Sequence, residues 1–284
     1  MYLDLVDVFA TGRLSGNPLA VVRGGEALDA AAMQQLTRWL GFSETVFLLP
    51  PENPGADYRV RIFYPAGELP FAGHPTLGSA YAWLSAGGLP QRKGRIVQEC
   101  GIGLVEIRYD DGVFGFMAPP LRRSDPLDML ERNETLRLTG ADPSAVIAAV
   151  HADNGPRWKL LHLASARHVL DARPVAEAPI PTDVALLGPH SEKDSELVAA
   201  TWEVRAFFAD ANGRLCEDPV TGSLNAAVAQ YLFAGGFETE RYFAAQGRKV
   251  GADGLVRCSR DPDGSVWIEG QVHMVSSGGA LTEP

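Results

Sequence analysis

One stretch of strand, loop and helix character occurs twice in this chain, 144 residues apart. Residues 61–79 read RIFYPAGELPFAGHPTLGS and residues 205–223 read RAFFADANGRLCEDPVTGS. Laid over one another without a gap, Arg61 meets Arg205, Phe63 meets Phe207, Pro75 meets Pro219, Gly78 meets Gly222 and Ser79 meets Ser223. His74 then falls on Asp218. Two copies of a βα unit predict two similar domains, since a solenoid needs more repeats. A length of 284 residues suits two domains of ordinary size, and 46% hydrophobic residues supply a core for each.

The rest of the pattern fits that division. LDLVDVF, NPLAVV, ETVFLLP and YRVRIFYP are predicted strands. AAAMQQLTRWL between Asp29 and Gly41 is a helix with an N-cap and a stop. Pro65 to Pro70 is expected to be loop, GHPTLGSAYAWLSAGG a helix, and RIVQECGIGLVEIRYDDGVFGFMAPP strands around a DG turn. MAPPLRRSDP is the expected linker. Beyond it a helical stretch, strands, a helix over TGSLNAAVAQYLFAGG and a strand pair over GSVWIEGQVHMVSSGG follow. The domains are placed at 1–119, completed by about 266–284, and 125–265.

Proline is favoured at the first position of a helix. The repeat therefore predicts His74 and Asp218 as the caps, with Gly78, Gly222, Ser79 and Ser223 in the first turn. The N–H groups and dipole of such ends form anion sites. Two of them across a cleft suit a carboxylate and an enolate-like charge. Asp218 has two readings, a structural cap or a site group. His74 is not a favoured cap, and it is either an acid/base group or a satisfied histidine. Glu44, in GFSETVFLL, reads from its context as an exposed turn, with a partly buried general base as the alternative. Asn17, in SGNP, is a turn residue or a substrate contact.

Several function classes are excluded. The chain has 25 basic and 35 acidic residues, a net charge of −10, which disfavours nucleic acid and anionic membranes as partners. No stretch reaches the roughly 20 apolar residues of a membrane helix. The acidic, alternating N-terminus is unlike a signal peptide, so a cytoplasmic protein is expected. Cys100, Cys216 and Cys258 show no CxxC spacing, and the histidines show no HxH or HxxxH, so no metal site is expected. Nucleotide-binding glycine motifs and a GxSxG elbow are absent.

The segments SGNPLAVV, FSETVFL, RIFYPAGELPFAGHPTLGSA and EDPVTGSLNAA resemble those of the phenazine-biosynthesis PhzF-like isomerase family, in order and over nearly the whole chain. The resemblance implies an α+β fold similar to diaminopimelate epimerase. Each of two similar domains would be a curved, mostly antiparallel sheet wrapped around a central helix, with the active site in the interdomain cleft. It implies that Glu44 is the acid/base residue, against the turn reading above. His74 and Asp218 match the family's supporting residues. Gly73, Gly222 and Ser223 match substrate-binding helix ends. Asn17, in its loop, and Ser43, beside Glu44, are expected as further substrate contacts. For the founding type the reaction is isomerisation of trans-2,3-dihydro-3-hydroxyanthranilate, in which Glu44 would take the proton at C3 and return one to a ring carbon.

The expected function is a cofactor-independent isomerase that moves a proton on a small amino or hydroxy acid bearing a carboxylate. An epimerase or racemase is the alternative; it normally needs a second base, for which Cys216 is the only hint. A binding protein that has lost its chemistry is a third reading. The expected assembly is a homodimer.

Overall fold

The computed structural model describes residues 1–282. The chain forms two compact units, Met1–Met117 with residues 269–282, and Ala118–Ile268.

Unit 1 contains β1 (Tyr2–Val8), β2 (Asn17–Arg23), α1 (Ala30–Leu40), β3 (Thr45–Leu49), β4 (Tyr58–Tyr64), β5 (Gly67–Leu69), α2 (Gly73–Ser85), β6 (Arg95–Cys100), β7 (Gly103–Asp110) and β8 (Val113–Met117). The order is β1-β2-β3-β4-β6-β7-β8, with β5 paired to β4. The last strand of the chain, β16 (Val266–Ala280), neighbours β8 and pairs antiparallel with β1, so the sheet closes on itself. Inside it lies α2, packed on β1, β2, β3, β4, β6 and β8. Nine of its thirteen residues are buried, and an apolar helix of small residues fits such a position. Gly78 shows how tight the fit is. A Cβ there would stand 2.5 Å from Leu19 Cδ2 and 3.0 Å from Val6 and Val8. The outer helix α1 is set by its ends: Asp29 accepts from the Ala32 N–H, and Gly41 takes the left-handed conformation that ends it.

Unit 2 contains α3 (Met129–Thr139), β9 (Val146–Asp153), β10 (Arg157–Leu163), α4 (Ala166–Asp171), β11 (Asp183–Pro189), α5 (Glu192–Val198), β12 (Trp202–Ala209), β13 (Leu215–Asp218), α6 (Gly222–Ala234), β14 (Arg241–Gln246) and β15 (Gly254–Arg260). Its order is β9-β10-β11-β12-β14-β15, with β13 paired to β12. The pairings repeat those of unit 1. β2–β3 and β10–β11 are parallel, β3–β4 and β11–β12 antiparallel, and β4–β6 and β12–β14 parallel. The apolar helix α6 again has nine of thirteen residues buried.

Three expectations are corrected. Pro65 to Pro70 is not all loop, because Gly67–Leu69 pairs with β4; the flanking prolines mask a strand too short to show a period. The final segment is one strand, β16, not a pair. The expected linker is an ordered part of unit 2. Ala118 N–H donates to Val266 O, Arg122 N–H to Asp153 O, and Leu127 N–H to Ala149 O. Gln230 of α6 holds the same segment, accepting from Leu121 N–H and donating to Pro119 O. Prolines remove donors but leave acceptors, so a proline pair can still lie along a sheet. Among the described residues no helix is long and apolar enough to cross a membrane.

Candidate active site

In unit 1, Gly41 ends α1 and the chain turns so that Glu44 leads directly into the buried strand β3. The Glu44 side chain is 19% exposed, and its Oε2 is shielded from solvent. His74 is the second residue of α2 and is buried; its Nε2 stands 3.6 Å from Glu44 Oε2. That spacing lies within ion-pair range and beyond a hydrogen bond. Loss of water around the carboxylate pushes the Glu44 pKa up to about 7, against an opposing hydrogen bond from the exposed Ser43. A carboxyl half ionised near neutral pH can both take and return a proton.

Among the described residues, four of the six α-helices have a side chain on the first-turn amides, from Asp29, Asp128, Ser165 and Ser191. The two central helices, α2 and α6, have none: Ala72 and Thr221 occupy their N-caps without a side-chain cap bond. The first amides of a helix have no intrahelical acceptor and stand at the positive end of the dipole. At α2 these are the amides of Gly73 and His74. Asn17, the first residue of β2, is fully buried opposite Val8. The loop before it is pinned by the buried carboxylate of Asp7, which accepts from Ser15 N–H and Gly16 N–H at 2.9 Å each.

In unit 2, Asp218 is half-buried at the end of β13, and its Oδ2 lies 2.6 Å from Thr221 Oγ1. Gly222 is the buried first residue of α6. Ser223 accepts a hydrogen bond at its carbonyl from Asn154 Nδ2 and at its hydroxyl from Trp158 Nε1.

These positions revise the ungapped repeat. Neither His74 nor Asp218 is a cap: the first is inside α2, the second lies before α6. Pro75 is the third helical residue, and Pro219 precedes the helix. The strands keep the 144-residue spacing. Arg61 pairs with Glu68 and covers Phe63, as Arg205 pairs with Glu217 and covers Phe207. The hairpins differ. Tyr64 pairs with Gly67, leaving two residues between them; Phe208 pairs with Cys216, leaving seven. Five extra residues thus enter unit 2 before its helix. Gly73 corresponds to Gly222, and His74 to Ser223.

Cys216 lies on β13, its Sγ contacts Arg214 O, and burial, then Asp210, pushes its thiol pKa up. Among the described residues no group of three or more His, Cys, Asp or Glu could hold a metal ion. An open depression of about 440 Å3 in unit 1, with Met33, Arg59 and Arg61 in its wall, contains none of the candidate residues. Neither does one of about 400 Å3 in unit 2, walled by Arg173, Arg205 and Lys249. The buried glutamines Gln98 and Gln246, which hold the two helix starts, escaped the sequence reading; an isolated polar residue in a short strand gives no signal there.

The family described as phenazine biosynthesis-like protein, PhzC-PhzF, matches residues 6–278. The chain is similar to Antisense-enhancing sequence 1 of Schizosaccharomyces pombe, 36% identical over 176 residues; the match spans 60% of each chain. It is 33% identical over 232 residues to a trans-2,3-dihydro-3-hydroxyanthranilate isomerase of Pseudomonas fluorescens, covering 80% of this chain and 78% of that one. A solved structure from Pseudomonas aeruginosa, described as a predicted epimerase, is 28% identical with a TM-score of 0.79 and 99% of each chain covered. With the profile matching nearly its whole length, the chain belongs to the PhzC-PhzF family of phenazine biosynthesis-like proteins.

Proposed function

We propose that this protein is a cofactor-independent isomerase that moves a proton on a small amino or hydroxy acid through Glu44. The observation that carries the reading is the pairing in unit 1. A shielded carboxylate with its pKa pushed up to about 7 stands 3.6 Å from an imidazole, at the start of a buried helix with no side-chain cap. Glu44 takes the proton from carbon and returns it to another position. His74 stabilises the ionised form of Glu44 or the charge that develops on the substrate. The amides of Gly73 and His74 receive the substrate carboxylate. Asp218, Gly222 and Ser223 serve the same reaction from the second helix start. That reading rests on the duplication and on the family. The relative from Pseudomonas fluorescens, named for its action on trans-2,3-dihydro-3-hydroxyanthranilate, makes cyclic amino acids with an acidic C–H the first compounds to try.

The test is deuterium uptake in D2O from a panel of small amino and hydroxy acids that includes this compound. A shifted double bond with deuterium at the new position supports isomerisation. Inverted configuration alone supports the epimerase reading. Binding without exchange supports a catalytically silent protein.

A further inference from the structure

Thr221 and Gln246 form a hydrogen-bond chain whose direction is fixed by atoms that can play one role only. Gln246 is fully buried. Its Oε1 lies 3.1 Å from the Thr221 backbone N–H, which can only donate. Its Nε2 lies 3.2 Å from the Asp218 carbonyl, which can only accept. The amide therefore has one possible orientation. Asn225 agrees with it: its Nδ2 donates to Thr221 O at 3.0 Å and to Gln246 Oε1 at 2.9 Å.

From that orientation the rest follows. Gln246 Nε2 donates to Thr221 Oγ1 at 2.9 Å. Thr221 has a single hydroxyl proton, and among the described residues its one recorded side-chain acceptor is Asp218 Oδ2, at 2.6 Å. An O–H···carboxylate bond has this length. Asp218 thus receives a proton donor on Oδ2. Unit 1 has a partial parallel, without the carboxylate and at the fourth residue of its helix rather than the N-cap. There the buried Gln98 donates from Nε2 to Thr76 Oγ1 at 3.1 Å, while its Oε1 accepts from Ser79 Oγ and Tyr58 OH at 3.0 Å each. A strand glutamine fixing a threonine at the central helix start is thus a feature of both halves.

We propose that Thr221 and Gln246 are positioning residues, which hold the Asp218 carboxylate in one rotamer for the reaction. The inference rests on the reading that Asp218 serves the proton transfer. It places the positioning outside the recognisable EDP motif: one end of the chain is a threonine beside the motif, the other a glutamine on β14.

Thr221→Val keeps the side-chain shape and removes the proton; Thr221→Ser keeps the proton. Crystal structures of both variants, and their exchange kinetics with trans-2,3-dihydro-3-hydroxyanthranilate, separate positioning from general structural support. The Asp218 carboxylate is expected to leave its rotamer in Thr221→Val and to keep it in Thr221→Ser. The kcat/KM for exchange is expected to fall at least about tenfold in Thr221→Val and to stay within about twofold in Thr221→Ser. In an Asp218→Asn background, Thr221→Val should add little further loss, the mark of coupled residues. If Thr221→Val does not fold, Thr221→Ala provides the same comparison. An unmoved Asp218 in the valine or alanine variant, or equal losses in the serine and valine variants, overturns the proposal. Absence of exchange in the wild-type protein counts against the reaction instead, and the Asp218 rotamer alone then decides the relay.

Discussion

The β4–β5–α2 segment of unit 1 and the β12–β13–α6 segment of unit 2 share one plan and differ by five residues in one hairpin. The plan includes an arginine over a phenylalanine, a glutamate on the paired short strand, and a thirteen-residue buried helix without a side-chain cap. Inside this shared frame the halves carry different chemistry. Unit 1 places a histidine in the first helical turn, near a carboxylate from the turn before β3. Unit 2 places serine at the matching position and carries its carboxylate on the strand before the helix. The two halves thus share a backbone plan with a central helix that has no side-chain cap, and differ in the side chains carried at its start.

The comparison can be broken at the twin ion pairs. Arg205 and Glu217 are 4% and 8% exposed, and Arg205 also donates to the carbonyls of Val169 and Ala172 beside the end of α4. Glu217→Ala should destabilise the protein by about 3–5 kcal/mol in urea unfolding, because it leaves a buried guanidinium without its counter-charge. A loss below about 1 kcal/mol would show that the unit 2 pair is no more structural than an exposed one.

Glu44 offers the next effect, and its sign depends on pH. Its folded pKa, about 7, lies above the ordinary 4.5, so the folded state binds this proton more tightly than the unfolded state. The resulting stabilisation is present below pH 4.5 and is lost as pH rises through about 7. Glu44→Gln avoids that loss. Thermal unfolding of the two proteins should therefore diverge between about pH 4.5 and pH 7 and stay apart above it, with the variant then more stable by up to about 3 kcal/mol. A difference independent of pH would contradict the burial of an ionisable Glu44.

Gly78 sharpens the packing side of the comparison. Its counterpart at the sixth position of α6 is Ala227, fully buried. Unit 2 accommodates the methyl group, whereas in unit 1 it would meet Leu19, Val6 and Val8. Gly78→Ala should destabilise by about 1–3 kcal/mol despite the better helix propensity of alanine. Stabilisation would mean that the sheet around α2 yields more easily than the contacts imply. The smallest effect is expected at Glu68, 41% exposed beside Arg61: Glu68→Ala should change stability by less than about 1 kcal/mol.

Much of this architecture was legible from local chemistry. Asp29 and Gly41 bracket α1 because each satisfies or ends a helix by itself. Asp111 and Gly112 both take positive φ, 44° and 77°, in the turn that joins β7 to β8. What escaped depends on pairing partners distant in sequence. The strand Gly67–Leu69 and the ordered segment around Pro119 exist because β4 and β9 supply hydrogen-bond partners, and proline signals argue the other way. The five-residue insertion escaped because Pro75 and Pro219 match without a gap although they do different work. Glu44 was recognisable by family resemblance, while its own residues suggested a turn; its burial depends on the approach of α2, which no local pattern encodes.

The central claim is that Glu44 carries the proton, and deuterium exchange into substrate measures it directly. With trans-2,3-dihydro-3-hydroxyanthranilate as the first probe, wild-type kcat/KM should rise with pH through about 7 as Glu44 ionises. Glu44→Gln, with its fold intact by circular dichroism, should exchange about 10²- to 10⁴-fold more slowly above pH 7, with a gap that narrows as the wild-type carboxylate is protonated at lower pH. Exchange at the wild-type rate in that variant would contradict the account.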